Sequence, residues 1–254
     1  MIRGIAFDLF DTLVDQNHDR LAPIVIEDRR VGATTPALHA HAVEEMGVSL
    51  SLLEFADLMG TVDRELRVDT IDQGIELASL DRFAALAARL SYSEPLAAAE
   101  SLAEVHMGLL QDAVTVPSHH EAVLASLAID YSLALCSNFS HASTARAILE
   151  QAGFDEHLRT IVISEEVGIR KPRREIFDEV ITSLGFAAHE ILHVGDKLRA
   201  DVAGAAAVGM RTVWLTRCVG DPEEKLERHD GPRPDFSLED LMDLPVLVAR
   251  LGNS

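Results

Sequence analysis

Only two cysteines occur in the 254 residues, Cys136 and Cys218, so a disulfide framework is excluded. No apolar run reaches the roughly 18 residues that a membrane span needs. A basic leader with a small-residue cleavage site is also missing: the chain enters a strand-like run, Ile2 to Phe10, almost at once. A cytoplasmic protein is therefore expected. Lysine is scarce, the three being Lys171, Lys197 and Lys225. Basic residues number 22 against 42 acidic ones, a formal net charge of -20. That balance argues against non-specific binding to nucleic acid or to an anionic membrane, both of which need a basic footprint. A small anionic substrate is not excluded, because a local cluster can reverse the field in one cleft.

What is present is ordinary globular material, 48% hydrophobic and 25% charged. A chain of this size buries roughly three-quarters of its unfolded surface. Gly4 to Phe10 is a short apolar run interrupted by Asp8, followed by Asp11-Thr12, and reads as a buried parallel strand feeding a loop. Similar runs are Tyr131 to Cys136, Thr160 to Ile163, Ile191 to Val194 and Arg211 to Leu215. Between them lie helix-patterned segments, His119 to Leu127, Ser143 to Ala152, Arg174 to Leu184 and Asp201 to Val208. The last three are each followed by a glycine, the common left-handed helix stop. This alternation predicts an α/β fold, a doubly wound parallel sheet with helices on both faces.

The alternation breaks between about Asp15 and Val114, where Ala, Leu and Glu recur at helical spacing. This stretch is expected to be a helical insertion, so that 1-15 and 115-254 form the core and 16-114 a second, helical domain. Pro23, Pro36 and Pro95 are expected in loops or at helix starts. Gly220 to Pro234 reads as a surface loop, and Asp235 to Leu244 as a short edge element followed by a helix.

In open α/β sheets ligands bind at the C-terminal strand ends. Asp8, Ser137 and Asp196 lie at such ends and are expected to converge. An isolated carboxylate at the end of a buried strand is costly. Two of them about 4 Å apart repel by roughly 4 kcal/mol at an effective dielectric near 20. Asp8, Asp196 and Asp201 can share a crevice only if protonated or if they hold a cation, and oxygen ligands with open positions suit Mg2+. Lys171 would add an ammonium, and Ser137 with Asn138 would add donors. This equipment fits phosphoryl transfer, which depends on positioning and charge neutralisation.

Phe7-Asp8-Leu9-Phe10-Asp11-Thr12-Leu13, Ser137-Asn138, Val167 to Pro172, and His193-Val194-Gly195-Asp196 through Asp201 resemble the four ordered motifs of the haloacid dehalogenase-like (HAD) hydrolases. The segment from Ala203 to Thr212 fits the phosphatase branch. The insertion resembles the helical cap of the first type, which would close over the crevice and choose the substrate. The resemblance implies a Mg2+-dependent hydrolase of a small phosphorylated metabolite, monomeric or homodimeric. Asp8 would be the nucleophile that becomes an aspartyl phosphate. Asp8, the Phe10 carbonyl and Asp196 would ligate Mg2+, and Asp201 would hold its waters or stand behind it. Ser137, Asn138 and Lys171 would bind phosphate, Lys171 would also offset the charge on Asp8, and Thr12 would order the first loop.

One position departs from that pattern. The phosphatases usually carry a second Asp two residues after the nucleophile, as general acid and then general base. Here it is Phe10, and the acid stands one place on, at Asp11, where the family usually has Gly. Asp11 is thus a catalytic candidate, although the commonness of Asp in loops favours a turn-forming acid. An aromatic residue at this position resembles the branch that hydrolyses 2-haloacids without metal through an ester on Asp8. The Gly195-Asp196 pair and Asp201 weigh against that branch. A weakly active or non-catalytic ligand-binding member is the third alternative. Plainer readings stand beside these. Lys197 and Arg199, inside the metal loop, would recruit anionic substrate or equally be solvated loop charges, and Arg29-Arg30 would be an exposed helix pair. His39, His41, His119 and His120 would be scattered surface histidines, and Cys136 a packing residue.

Overall fold

A computed structural model describes residues Met1 to Gly252. In chain order the strands are β1 (Gly4–Phe7), β2 (Asp15–Gln16), β3 (Ile24–Ile26), β4 (Arg29–Val31), β5 (Val114–Thr115), β6 (Ser132–Ser137), β7 (Leu158–Ile163), β8 (Ile191–Gly195), β9 (Arg211–Leu215) and β10 (Phe236–Leu238). Six of them form one sheet in the order β10-β9-β8-β1-β6-β7. Its pairs are parallel throughout, with Phe7 of β1 opposite Leu135 on one side and Val194 on the other. β1 is short and buried at every position, as its apolar sequence requires.

The chain falls into two compact units, Met1–Asp15 with Thr115–Ser254, and Gln16–Val114. The second contains four α-helices, α1 (Thr35–Met46), α2 (Leu52–Asp69), α3 (Ser79–Arg89) and α4 (Pro95–Asp112). They enclose their own apolar core, which includes Leu38, Phe55, Met59, Phe83, Leu86 and Leu102. Pro36 and Pro95 sit in the first turns of α1 and α4, where a missing N–H costs nothing. α2 opens with a capping box: the Ser51 hydroxyl accepts from the Glu54 N–H, and Glu54 accepts from the Ser51 N–H at 2.8 Å.

The start of this unit differs from the helical expectation. β3 and β4 form an antiparallel hairpin whose tip, Glu27-Asp28, has φ of 47° and 61°. Two successive left-handed residues match the right-handed strand twist, so the turn selects a hairpin here. Arg29 and Arg30 therefore lie on a strand, and Arg29 pairs with Asp57 across 3.1 Å.

The helices of the first unit are α5 (His120–Ala128), α6 (Ala142–Gln151), α7 (Ser164–Val167), α8 (Arg174–Leu184), α9 (Gly204–Ala207), α10 (Pro222–Glu227) and α11 (Leu244–Gly252). Ala6, Ala134, Cys136, Val162 and Ile191 present one sheet face to Ile176, Phe177, Val180 and Leu184 of α8 and to Ala205 of α9. α5 packs on β6, and α11 on α5. The expected loop Gly220 to Pro234 instead contains α10, which starts at Pro222 with two glutamates in its first turn. The helix expected from Asp201 begins earlier, as a π-helical turn at Leu198–Ala203, and runs on into α9. No helix among the described residues is long and apolar enough to cross a membrane.

Two glycines mark close approaches beside the strand ends. A Cβ on Gly195 would lie 2.3 Å from Asp201 Cγ, and one on Gly204 would lie 2.7 Å from Phe177 Cε2. Gly195→Ala is expected to cost about 2 kcal/mol, lowering Tm by roughly 4–8 °C. Thermal denaturation followed by circular dichroism checks this, and an unchanged Tm would contradict the crowding at Asp201.

Candidate active site

β1 lies at the centre of the sheet, with β8 on one side and β6 on the other. The chain runs outward from β1 through β6 and β7, then returns to build β8, β9 and β10 on the opposite side. The strand order therefore reverses between β1 and β8, where the strand ends open a crevice. Asp8 follows β1 and its N–H donates to the Val194 carbonyl at 2.9 Å, which holds the residue in the ladder. Ser137 ends β6, and Gly195 at the end of β8 hands over to Asp196.

Lys171 joins these ends. Its ammonium donates to Asp8 Oδ1 at 2.8 Å, to the Cys136 carbonyl at 2.6 Å and to Asp201 Oδ1 at 2.6 Å. All three protons are thus used, and the residue is only 3% exposed. Burial alone would pull this ammonium's pKa down, but the charges of Asp201 and Asp8 outweigh it and hold the pKa above the ordinary lysine value. The loop that carries Lys171, just before the cis Lys171–Pro172 bond, is gripped by Asn138. Asn138 Oδ1 accepts from the Lys171 N–H at 2.7 Å, and its Nδ2 donates to the Lys171 carbonyl at 3.0 Å.

Asp201 comes from the π-helical turn and is 1% exposed. Besides Lys171, its oxygens accept from His193 Nε2 at 3.2 Å and from the Lys197 N–H at 2.9 Å. Burial would raise its pKa, but Lys171 and the bond from His193 hold it below the usual carboxylate range. Burial keeps His193 neutral by lowering its pKa. Its ring meets Phe177 edge-on at 5.3 Å.

Asp196 is different. One oxygen accepts from the Lys197 ammonium, but the other, Oδ1, is buried with no hydrogen-bond partner. Burial, reinforced by the charge of Asp8, pushes its pKa up to about 7. Burial and Asp201 also raise that of Asp8, against the pull of Lys171. The Asp196 carbonyl accepts from the Trp214 indole N–H at 2.8 Å. One ligand oxygen each from Asp8, Asp196 and Asp201 can be chosen within 4.8 Å of one another. Thr12 Oγ1 and Ser137 Oγ are likewise buried and unpartnered.

Asp11 takes a left-handed backbone, φ 58°, and is 4% exposed. Its carboxylate lies 3.6 Å from the Lys197 ammonium. Phe10, half-buried, packs its ring on Phe139 with centroids 4.9 Å apart. Four carboxylates therefore surround two ammoniums, a formal charge of -2.

Sequence reading missed several contributors. His193 reaches Asp201 from inside β8, and a histidine in an otherwise apolar strand was the available signal. Trp214 reaches Asp196 from β9, with no local signal. Lys197 is paired with two carboxylates and is not merely a solvated loop charge. His120 is fully buried rather than on the surface, with its Nδ1–H donating to the Leu13 carbonyl at 2.8 Å. His119, His120 and Asp240 also form a compact group, but the Arg217 guanidinium 3.6 Å from Asp240 already supplies a cation there.

The profile of the haloacid dehalogenase-like hydrolases matches residues 2–209. The chain belongs to that family. Over 104 residues it is 36% identical to a glyceraldehyde 3-phosphate phosphatase of Methanopyrus kandleri, covering 41% of this chain and 44% of that one. It is 28% identical over 217 residues to a ribulose-1,5-bisphosphate 5-phosphatase of Halopiger xanaduensis, covering 81% of this chain and 87% of the relative. The match to the Methanopyrus enzyme and to two further relatives spans 42 to 44% of their length. The fold is similar to that of a 2-haloacid dehalogenase from Pseudomonas syringae, with TM-score 0.76 and 21% identity over 99% of this chain and 100% of that one. At that identity the likeness concerns the fold alone. This HAD-like hydrolase thus has relatives named as phosphatases and a structural neighbour named as a dehalogenase.

The raised pKa of Asp196 has a consequence for stability. The folded state keeps this proton up to about pH 7, whereas an unfolded Asp releases it near 3.9. The contribution is therefore lost as pH rises through that window. In EDTA, Asp196→Asn is expected to exceed the parent in stability by about 1–3 kcal/mol at pH 7.5, with the gap closing toward pH 5. Urea denaturation at both pH values tests this, and a gap that grows on acidification would contradict it.

Proposed function

We propose that this hydrolase is a Mg2+-dependent phosphatase of a small phosphorylated metabolite, acting through an aspartyl phosphate on Asp8. One observation carries the reading: a buried carboxylate cluster of formal charge -2 whose Asp196 Oδ1 has no protein partner. An all-oxygen donor set, with a formal double charge once Asp196 has released its proton, fits a hard dication. Asp8, Asp196 and the Phe10 carbonyl would hold Mg2+, which would neutralise phosphoryl oxygens. Asp201, whose oxygens are engaged by Lys171, His193 and the Lys197 N–H, would stand behind them and hold the Lys171 ammonium that bonds Asp8.

The chain's own residues do the rest. The Asp8 carboxylate attacks phosphorus, and the bond to the leaving oxygen breaks as the aspartyl phosphate forms. Lys171 fixes Asp8 and offsets its charge. The unpartnered Ser137 hydroxyl donates to a phosphoryl oxygen, and buried Thr12 orders the first loop. Asn138 acts on phosphate indirectly, by holding the Lys171 backbone. Water then cleaves the acyl phosphate, returning Asp8 and releasing phosphate. Phe10 offers no proton to the leaving oxygen, so water supplies it, and Asp11 contributes charge beside Lys197. The Gln16–Val114 unit is proposed as the cap that selects the substrate. The relatives named as phosphatases support the reading.

The aromatic Phe10 favours a second reading, metal-free dehalogenation, because halide leaves without a proton. Hydrolysis of p-nitrophenyl phosphate with and without Mg2+, run beside halide release from 2-chloropropionate, separates the two. Metal-dependent phosphate release is expected, and metal-free halide release would overturn the proposal. Asp8→Asn should lose about 10⁴-fold or more in kcat with its circular dichroism unchanged. Retained activity would remove the covalent route. Phe10→Asp should raise kcat on an alkyl phosphate about 10- to 100-fold. No change or a loss would show that the absent acid at this position does not limit the rate.

A further inference from the structure

We infer that Lys197 is a built-in counter-cation that competes with Mg2+ for the Asp196 carboxylate, and so sets how tightly the site takes up metal. The inference rests on the Mg2+ reading above. The two ammoniums of the cluster are held in opposite ways. Lys171 has a side chain only 1% exposed and three acceptors, and it cannot leave without breaking buried bonds. The Lys197 side chain is 61% exposed, while the carboxylates it meets, Asp196 and Asp11, are 1% and 5% exposed. Its stem runs through solvent and only the head dips into the cluster.

That head bonds Asp196 Oδ2 and stands 3.6 Å from Asp11 Oδ2. It thus occupies one oxygen of the very carboxylate whose other oxygen has no partner. A dication bound to Asp196 would face this ammonium at a few ångströms, and like charges repel steeply in a partly buried site. Withdrawal needs only side-chain rotation, because the Lys197 N–H stays anchored on Asp201 Oδ2 at 2.9 Å. A flexible four-carbon stem suits such a head. Metal-free protein therefore keeps Asp196 paired, and Mg2+ must displace the ammonium to enter.

The test uses full-length protein with Lys197→Met, which keeps the stem and removes the charge, and Lys197→Arg, which keeps the charge. Mg2+ is titrated into EDTA-treated, dialysed protein without substrate. Binding is read by calorimetry and by fluorescence of Trp214, the single tryptophan, whose N–H sits on the Asp196 carbonyl. Lys197→Met should bind Mg2+ about three- to tenfold tighter than the parent, and Lys197→Arg within about twofold. Without metal, Lys197→Met should melt below the parent, and Mg2+ should raise its Tm by more. Unchanged or weaker Mg2+ binding in a folded Lys197→Met, while Asp196→Asn loses binding, would overturn this inference alone. Equal tightening in Lys197→Arg would also overturn it, because charge would not be the cause. Parent-like Mg2+ binding in Asp196→Asn would overturn the metal site and this inference together.

Discussion

The Lys171 ammonium, sealed from water and bonded to Asp8, Asp201 and the Cys136 carbonyl, is the contact on which the rest of the site depends. It ties the end of β1 to the end of β6 and to the π-helical turn after β8. Buried charges are expensive to desolvate, and a buried ion pair often adds little net stability compared with apolar packing. Removing one partner is far worse, since the others are then left uncompensated in a dry environment. The arrangement is therefore costly to keep for the fold alone. That cost fits a cluster whose ionisation is tuned for chemistry.

The supporting groups hold that ammonium and its carboxylates at fixed positions. Asn138 clamps the Lys171 backbone from both sides, and His193 and the Lys197 N–H complete Asp201. Gly195 is small because the Asp201 carboxylate lies against it. What these supports leave open is equally specific: Asp196 Oδ1, Ser137 Oγ and Thr12 Oγ1 are buried and unpartnered. Buried polar atoms rarely lack partners. On the proposed reading, these three await an ion and an anionic group.

Where the chain departs from its family's phosphatases, the departure lies inside this frame. Phe10 stacks on Phe139, and Asp11 turns through a left-handed backbone toward Lys197. On the proposed reading, the charge-neutralising half of a phosphoryl-transfer site is kept, while an aromatic ring stands where the proton donor would be. Such a site favours leaving groups that part readily. The two lysines divide the remaining work, one locked into the base of the cluster and the other poised at its mouth.

The alternation of apolar runs with helix-patterned segments was enough to read the parallel sheet, because strand burial and helix periodicity are local properties of the chain. Arg174–Leu184 and Arg211–Leu215 match their predicted limits. The β3–β4 hairpin was missed because Glu27-Asp28 lacks the glycine that usually marks such a turn, and the π-helical turn because its spacing mimics an ordinary helix. Asp8, Asp196, Asp201 and Lys171 were legible as a group from four short motifs in order. Only the tertiary structure decided which oxygens of that group are engaged and which are orphaned. It also decided that Asn138 grips the Lys171 backbone, that Trp214 reaches Asp196, and that Lys197 dips its head among the acids. A sequence lists charges in one dimension, whereas pairing depends on which polar atoms the fold brings within about 3 Å of each other.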